Sequence, residues 1–135
     1  MSSSSPPTLS SIEYSPQTRT RAERALRCSP FRLPLWREMR SRSISSNAIA
    51  GTAGFEQGYT LRPLLELVAE SQLTWLIRVG LLRREVDGQG ITDRFRLTPL
   101  GRQLLQQYEG QGAIPPPSNS DRFRNLLERW FRLPL

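Results

Sequence analysis

The stretch Leu73–Tyr108, LTWLIRVGLLRREVDGQGITDRFRLTPLGRQLLQQY, decides the predicted fold. Its apolar residues first recur at helical spacing as far as Gly80, and they then alternate with polar residues at the spacing of two that is typical of strands. The turn sequence Asp87-Gly88-Gln89-Gly90 separates two such strands, which we place at 81–86 and 91–97. The sequence therefore predicts a helix followed by a β-hairpin.

The residues after the hairpin predict a second helix. Thr98 can cap its N-terminus, and Pro99 fits the first helical position because its missing N–H has no intrahelical partner there. We expect this helix to end at Gly110, with an apolar side formed by Leu100, Leu104, Leu105 and Tyr108. Within the second strand, Phe95 and Leu97 share one face, and Arg94 and Arg96 share the other.

Upstream of this stretch the pattern predicts further helices. The Thr-x-x-Glu spacing of Thr20 and Glu23 is that of a capping box. Ala and Ile residues before Gly54 predict a short helix that the glycine would end. The predicted helices therefore cover 21–28, about 34–42, a short segment that ends at Gly54, and a segment that begins after Thr60.

These elements resemble the winged helix-turn-helix family, a mainly α fold with a small β-hairpin wing (α+β). The resemblance rests on a short helix, a helix leading into Val79-Gly80-Leu81-Leu82, and a hairpin closing on Leu97-Thr98-Pro99-Leu100-Gly101. It also extends to small uncharacterised cyanobacterial winged-helix proteins, which brings no assigned activity. The interval between Ile49 and Gly80 is longer than the family usually has between the first helix of the helix-turn-helix and the Gly-Leu corner. The recognition helix would therefore be 60–70, 72–79, or both joined.

The chain divides into four predicted segments. Residues 1–17 are rich in Ser and Pro and are expected to be a disordered N-terminal tail. Residues 18–110 would form the winged-helix domain, and residues 111–120, with Pro115-Pro116-Pro117, a linker. Residues 121–135 predict a C-terminal amphipathic helix with an apolar stripe at i, i+3, i+4, i+7 and i+8 that consists of Phe123, Leu126, Leu127, Trp130 and Phe131.

Composition excludes several kinds of site. The 135 residues include 19 basic residues, all Arg, and 12 acidic ones, for a net charge of +7, with no His and the single cysteine Cys28. Imidazole catalysis, an intramolecular disulfide and a cysteine zinc cluster are therefore excluded. We accordingly expect no enzyme activity, no metal and no cofactor.

The positive charge suggests an anionic partner, but it is distributed unevenly. Residues 1–50 contain eight Arg and three acidic residues, residues 51–110 seven of each, and residues 111–135 four Arg and two acidic residues. Since the winged segment is neutral, any phosphate contacts are expected from its flanks and wing.

The resemblance implies a cytoplasmic DNA-binding transcriptional regulator that forms a homodimer and binds double-stranded DNA. Part of 60–79 would enter the major groove, while the wing and the first helix contact phosphates. The candidate DNA-binding residues are Arg19, Arg21, Arg24, Arg62, Gln72, Thr74, Arg78, Arg83, Arg94 and Arg96. For the arginines of the wing, a solvated face paired with local acidic residues is an equally good interpretation.

The alternative is a winged-helix protein-interaction module that binds no DNA. It would present Trp75 or the Trp130-Phe131 surface to a protein partner, although a tryptophan at helical spacing is more often a core residue. The stripe of the last helix is the candidate partner or dimer interface, with self-docking as the competing interpretation. Membrane contact is not expected.

Overall fold

The computed structural model describes residues 13–131, which form a mainly helical α+β fold with one small antiparallel sheet. The elements in chain order are α1 (Pro16–Cys28), α2 (Leu33–Ser41), β1 (Ile44–Ser45), α3 (Ser46–Ile49), α4 (Gly51–Glu56), α5 (Glu66–Arg78), β2 (Leu82–Asp87), β3 (Gly90–Leu97), α6 (Pro99–Gln111) and α7 (Asn119–Phe131). Within this part of the chain, no helix is long and apolar enough to cross a membrane.

The sheet has the strand order β1-β3-β2, so the hairpin carries the short strand β1 on its open edge. Leu82 pairs with Leu97, and Val86 pairs with Ile91, with an irregularity of register between them. On the other side of β3, Ile44 pairs with Phe95. Phe95 and Leu97 are buried, while Arg94 and Arg96 on the other face point away from the core. The predicted hairpin and its two faces are therefore confirmed.

Helix α6 begins as the sequence predicts. The Thr98 hydroxyl accepts a hydrogen bond from the Gly101 N–H at 3.1 Å and donates to the backbone carbonyls of Gly80 and Leu81. One side chain therefore caps the helix and joins its start to the end of α5. The helix ends at Gln111 rather than at Gly110, and Gly112, which has a φ of 84°, is its C-cap.

The core lies between the sheet and the helices α1, α2, α5 and α6. Its members are apolar side chains that are almost completely withdrawn from water, so their burial supplies most of the stability. The largest of them include Trp36, Leu35, Met39, Ile44, Ile49, Leu73, Leu76, Phe95 and Leu97. The predicted apolar side of α6, from Leu100 to Tyr108, belongs to the same core.

Helix α1 begins at Pro16, earlier than predicted. The Ser15 hydroxyl accepts a hydrogen bond from the Thr18 N–H, and Pro16 occupies the first turn, so the helix is already capped five residues before Thr20. The capping box predicted for Thr20 and Glu23 is therefore wrong. Residues 16 and 17 are helical, and residues 1–12 of the predicted tail lie outside the described part of the chain.

The segment before α5 also differs from the prediction. Gly54 lies within α4, where its Cα packs against the Ile49 carbonyl, so it does not end a helix. Thr60 is completely buried in a bridge with Phe31 instead of capping α5. The helix begins only at Glu66 and runs through Ser71 without interruption, so the predicted recognition helix over 60–79 shortens to 66–78.

The last helix, α7, begins at Asn119, two residues before the start predicted for it. Ser118 and Asp121 form a reciprocal capping box, in which the Asp121 N–H donates to the Ser118 hydroxyl at 3.0 Å and the Ser118 N–H donates to the Asp121 carboxylate at 3.1 Å. The helix is described as far as Phe131, so the end of the predicted helix over 121–135 lies outside the described residues.

Candidate interaction surface

Helix α7 packs on the domain through its polar face. Arg24 of α1 donates two hydrogen bonds to the Glu128 carboxylate, at 2.9 and 3.0 Å, and Arg27 donates two to Asp121, at 3.1 and 3.0 Å. Residues 121, 125 and 128 are spaced by four and three, so they lie on one side of the helix. Two ion pairs, each with two hydrogen bonds, thus hold α7 against α1.

The same polar face also contacts α5. The indole Nε1 of Trp75 donates to Asn125 at 2.9 Å, and Arg129 donates to Ser71 at 2.9 Å and to Gln72 at 3.2 Å. Trp75 is 8% exposed. Its interpretation as a core residue is confirmed, and its role as an exposed anchor for a partner protein is wrong.

Because the polar face points inward, the apolar stripe of α7 points to solvent. The exposed fractions are 63% for Phe123, 60% for Leu126, 38% for Leu127, 77% for Trp130 and 64% for Phe131. Among the described residues of α7, none is buried. The self-docking interpretation of this stripe is therefore wrong, and we call these five residues the α7 stripe.

We call the two ion pairs that hold α7 against α1 the clamp, and their charges are present at neutral pH. Hydrogen bonds from the Arg27 guanidinium, and then from the Ser118 backbone, lower the pKa of Asp121 to about 2. The pKa of Glu109 is lowered too, chiefly by its hydrogen bond with Arg40 and also by Arg37. Both carboxylates consequently keep their negative charge to a lower pH than unpaired carboxyl groups do.

Two of the three arginines predicted to contact phosphates from the first helix, Arg19 and Arg24, have partners within the fold. Arg19 donates to Gln103 at 3.1 Å and to Gln107 at 2.8 Å, so it joins α1 to α6. Arg24 is only 8% exposed and is paired with Glu128. Arg21 is partly buried. The prediction that Arg24 contacts DNA is therefore wrong, because its guanidinium faces α7 rather than solvent.

The residues predicted to read bases do not form one surface. Gln72 accepts its hydrogen bond from Arg129, and Arg62 lies exposed in the loop before α5. Thr74 and Arg78 line a cavity of about 360 Å³ between α5 and α7, together with Glu70. The structure thus brings Thr74 and Arg78 together and leaves Arg62 apart.

The arginines of the wing have partners on the hairpin or beside it. Arg83 lies 3.7 Å from the Glu85 carboxylate, and Arg96 lies 3.3 Å from it. Arg94 donates to both the hydroxyl and the carbonyl of Ser43. Of the three, Arg83 and Arg94 are exposed and Arg96 is partly buried.

The prediction missed a second exposed apolar surface at the start of α5. Leu65 is 77% exposed, Leu67 is 84% exposed and Val68 is 40% exposed, with Glu66 exposed among them. In the sequence, Leu65 and Val68 recur at helical spacing with Leu61 and Leu64, a pattern that favours a core-facing stripe on a helix beginning after Thr60. Glu66 and Leu67, which lie between these residues and outside that stripe, were the available signal that this part of the helix is exposed. We call residues 65–68 the α5 surface.

A family model described as Npun_F0494-like matches residues 12–129. The chain belongs to this family. The match runs from α1 into α7, so the clamped last helix is part of what the family model covers. No curated protein and no solved structure matches the chain. Family membership therefore assigns no activity, and the functional argument depends on the surfaces described above.

Proposed function

We propose that this chain is a non-enzymatic winged-helix module that acts by binding another protein rather than by reading DNA. The order helix, strand, helices, helix and hairpin, from α2 to β3, supports the winged-helix interpretation, since β1 pairs with the outgoing strand of the hairpin. In that interpretation α5 is the recognition helix and the β2–β3 hairpin is the wing.

The observation that carries the proposal is the chemistry of the α5 surface. A recognition helix reads base edges with the residues near its N-terminus, and suitable side chains are Arg, Asn, Gln and Ser. At this position α5 instead exposes Leu65, Leu67 and Val68 around the carboxylate of Glu66. Such a surface would bury apolar groups and an anion against a polyanion, which is unfavourable, whereas it suits a protein partner.

The tip of the wing has the same character. Val86 is 63% exposed and Ile91 is 76% exposed, and they pair with each other beside the exposed acidic residue Asp87. A wing that contacts phosphates needs cations at this position. Both elements that would approach DNA thus present apolar and acidic groups, which supports a protein partner with a complementary apolar surface and basic groups at its rim.

The proposal is tested by site-specific photo-crosslinking in cells. We expect a photoreactive amino acid at Leu67 to give an adduct of one discrete mass, because this side chain would lie within the interface. The matched control is the same amino acid at Gln106, an exposed residue of α6 on another part of the surface. Failure to obtain an adduct at Leu67, or equal adducts at both positions, would overturn the proposal.

DNA binding is the second candidate, favoured by the exposed guanidinium groups of Arg62, Arg78, Arg83 and Arg94. It predicts a duplex affinity that differs between sequences and falls with salt by about 0.9 log units per phosphate contacted. The protein-interaction proposal predicts only weak, sequence-independent binding from the net charge of +7. A low-salt binding assay on several duplexes therefore separates the two, and loss of sequence preference in Arg78→Gln would establish the DNA candidate.

The cytoplasmic location expected from the sequence stays part of this proposal. Fractionation of cells that express a tagged chain would test it.

A further inference from the structure

We propose that the α7 stripe is the interface of a symmetric homodimer, in which α7 of one copy packs antiparallel against α7 of a second copy. The inference goes beyond the proposed function, because it uses a surface on a different helix from the α5 surface. Its starting point is the inverted docking of α7, whose polar face is held by Arg24 and Arg27 while its stripe is presented outward on a clamped helix.

The spacing of the stripe is self-complementary. Phe123, Leu126, Leu127 and Trp130 follow one another at intervals of three, one and three, so the order aromatic, leucine, leucine, aromatic is the same in both directions. A twofold axis that passes between the two leucines brings Phe123 of one copy against Trp130 of the other, and places the leucines of both copies together. An isologous contact needs this property, since each residue must find its partner twice.

The exposed area is sufficient for a second copy. With aromatic side chains of roughly 150–250 Å² each, the exposed fractions of the five residues amount to about 600 Å² per copy. Two copies would bury about 1,200 Å², which is the lower limit for a specific and stable interface. We expect dissociation in the micromolar range, because the lost freedom of two molecules and the ordering of exposed side chains offset much of the gain from apolar burial.

The charges at the edge of the stripe add no attraction between the copies. Arg129 is turned toward its own chain, where it donates to Ser71 and Gln72, while Arg122 and Arg124 are exposed. The contact would therefore depend on apolar burial, and salt should leave it unchanged or strengthen it by screening the arginines. A contact with an acidic protein or an anionic lipid surface would weaken with salt instead.

Sedimentation equilibrium of the full-length protein tests this inference. We expect a monomer–dimer equilibrium that persists at high salt, and a dissociation constant that rises about tenfold or more in Leu126→Ser, since two leucines leave the interface. The matched control is Leu61→Ser, a leucine of the loop before α5 with the same exposed fraction of 60% as Leu126, which should leave the equilibrium unchanged. Circular dichroism of both variants checks that each is folded.

Three outcomes would overturn the inference. A protein that stays monomeric over the whole concentration range has no such interface. A dimer that Leu126→Ser does not weaken uses another surface, and a dimer that dissociates with added salt is held by ionic contacts. Titration with anionic vesicles identifies the other occupant, because a blue shift of tryptophan fluorescence in a monomeric protein, absent in Trp130→Phe, would assign the stripe to a lipid surface. The crosslink at Leu67 is independent of these results, so each proposal fails separately.

Discussion

Two glycines of α6 illustrate how a single methyl group can have opposite effects on stability. A Cβ on Gly101 would collide with the Leu81 carbonyl and press on Leu97, whereas a Cβ on Gly110 would meet open space. We expect Gly101→Ala to lower the free energy of unfolding by about 1–3 kcal/mol, because a rigid backbone must move. Gly110→Ala should raise it by up to about 1 kcal/mol, because alanine favours the helix.

Urea denaturation of the two glycine variants measures both effects. They lie in the same helix, so the comparison separates close packing from helix propensity. Equal destabilisation by both substitutions would contradict the packing of α6 against the end of α5.

At Asp121 the structure predicts a dependence of stability on pH. Its pKa is lowered to about 2 in the folded chain, below the ordinary value of an aspartate, so the unfolded chain binds a proton first as the pH falls. The stabilisation is complete above about pH 4 and is lost as the pH falls from there to about 2. We expect Asp121→Asn to lower the melting temperature at neutral pH and to flatten its dependence on pH in this window.

Melting temperatures measured between pH 2 and pH 7 test this prediction. Some pH dependence should persist in Asp121→Asn, because the pKa of Glu109 is lowered by Arg40 as well. Glu56→Gln is the control, since Glu56 is an exposed residue at the end of α4. If Asp121→Asn kept the full slope, the ion pair with Arg27 would not exist in solution.

At the scale of elements, the hairpin and α6 could be predicted because their signals are local. The Asp87-Gly88 turn, the alternation around Phe95, and the Thr98-Pro99 pair act within a few residues of one another. The start of α5 could not be predicted this way. Thr60 has the chemistry of an N-cap, but its bridge with Phe31, 29 residues earlier, places it in the interior.

The candidate site could be predicted only in part, because the orientation of α7 depends on contacts between residues that are far apart in the chain. The α7 stripe was identified correctly as a set of residues, but an amphipathic pattern does not specify whether the apolar or the polar face packs on the domain. That depends on ion pairs such as Arg24–Glu128, which join residues 104 positions apart. For the same reason, sequence alone gave no sign that the arginines of α1 would be paired within the fold.

The docking of α7 leads to a prediction for that element. Arg24 is 8% exposed, so Glu128→Gln would leave a largely buried guanidinium without its charged partner. We expect a loss of about 1–3 kcal/mol in the free energy of unfolding, together with faster proteolysis in the linker that contains Pro115. Glu38→Gln is the matched control.

The pair that Glu38 forms with Arg42 has side chains that are 43% and 60% exposed, respectively. An exposed pair spaced by four residues should contribute at most about 0.5 kcal/mol. If both substitutions had the same small effect, α7 would not be clamped to α1 by its polar face.

For the whole molecule, the net charge of +7 has a different meaning once its contacts are known. Nine of the arginines in residues 13–131 form ion pairs with carboxylates of the chain. Several of these pairs join α1 or α2 to α6 and α7, as Arg40 does with Glu109. The N-terminal excess of arginine therefore holds helices together, and it offers less to a phosphate backbone than the count of charges suggests.

The division between core and clamp predicts how the whole molecule responds to truncation. Within residues 13–131, every buried core residue lies between Ala22 and Tyr108, and Ile114 of the linker packs on that core. A chain that ends at Pro117 keeps all of these residues and loses only α7 with its ion pairs and hydrogen bonds. We expect it to unfold in one cooperative transition, with a free energy of unfolding lower by about 2–4 kcal/mol, because the exposed Arg24 and Arg27 regain water. Urea denaturation followed by both near-ultraviolet and far-ultraviolet circular dichroism measures this, and transitions that fail to coincide would show that α7 is required for the core to fold.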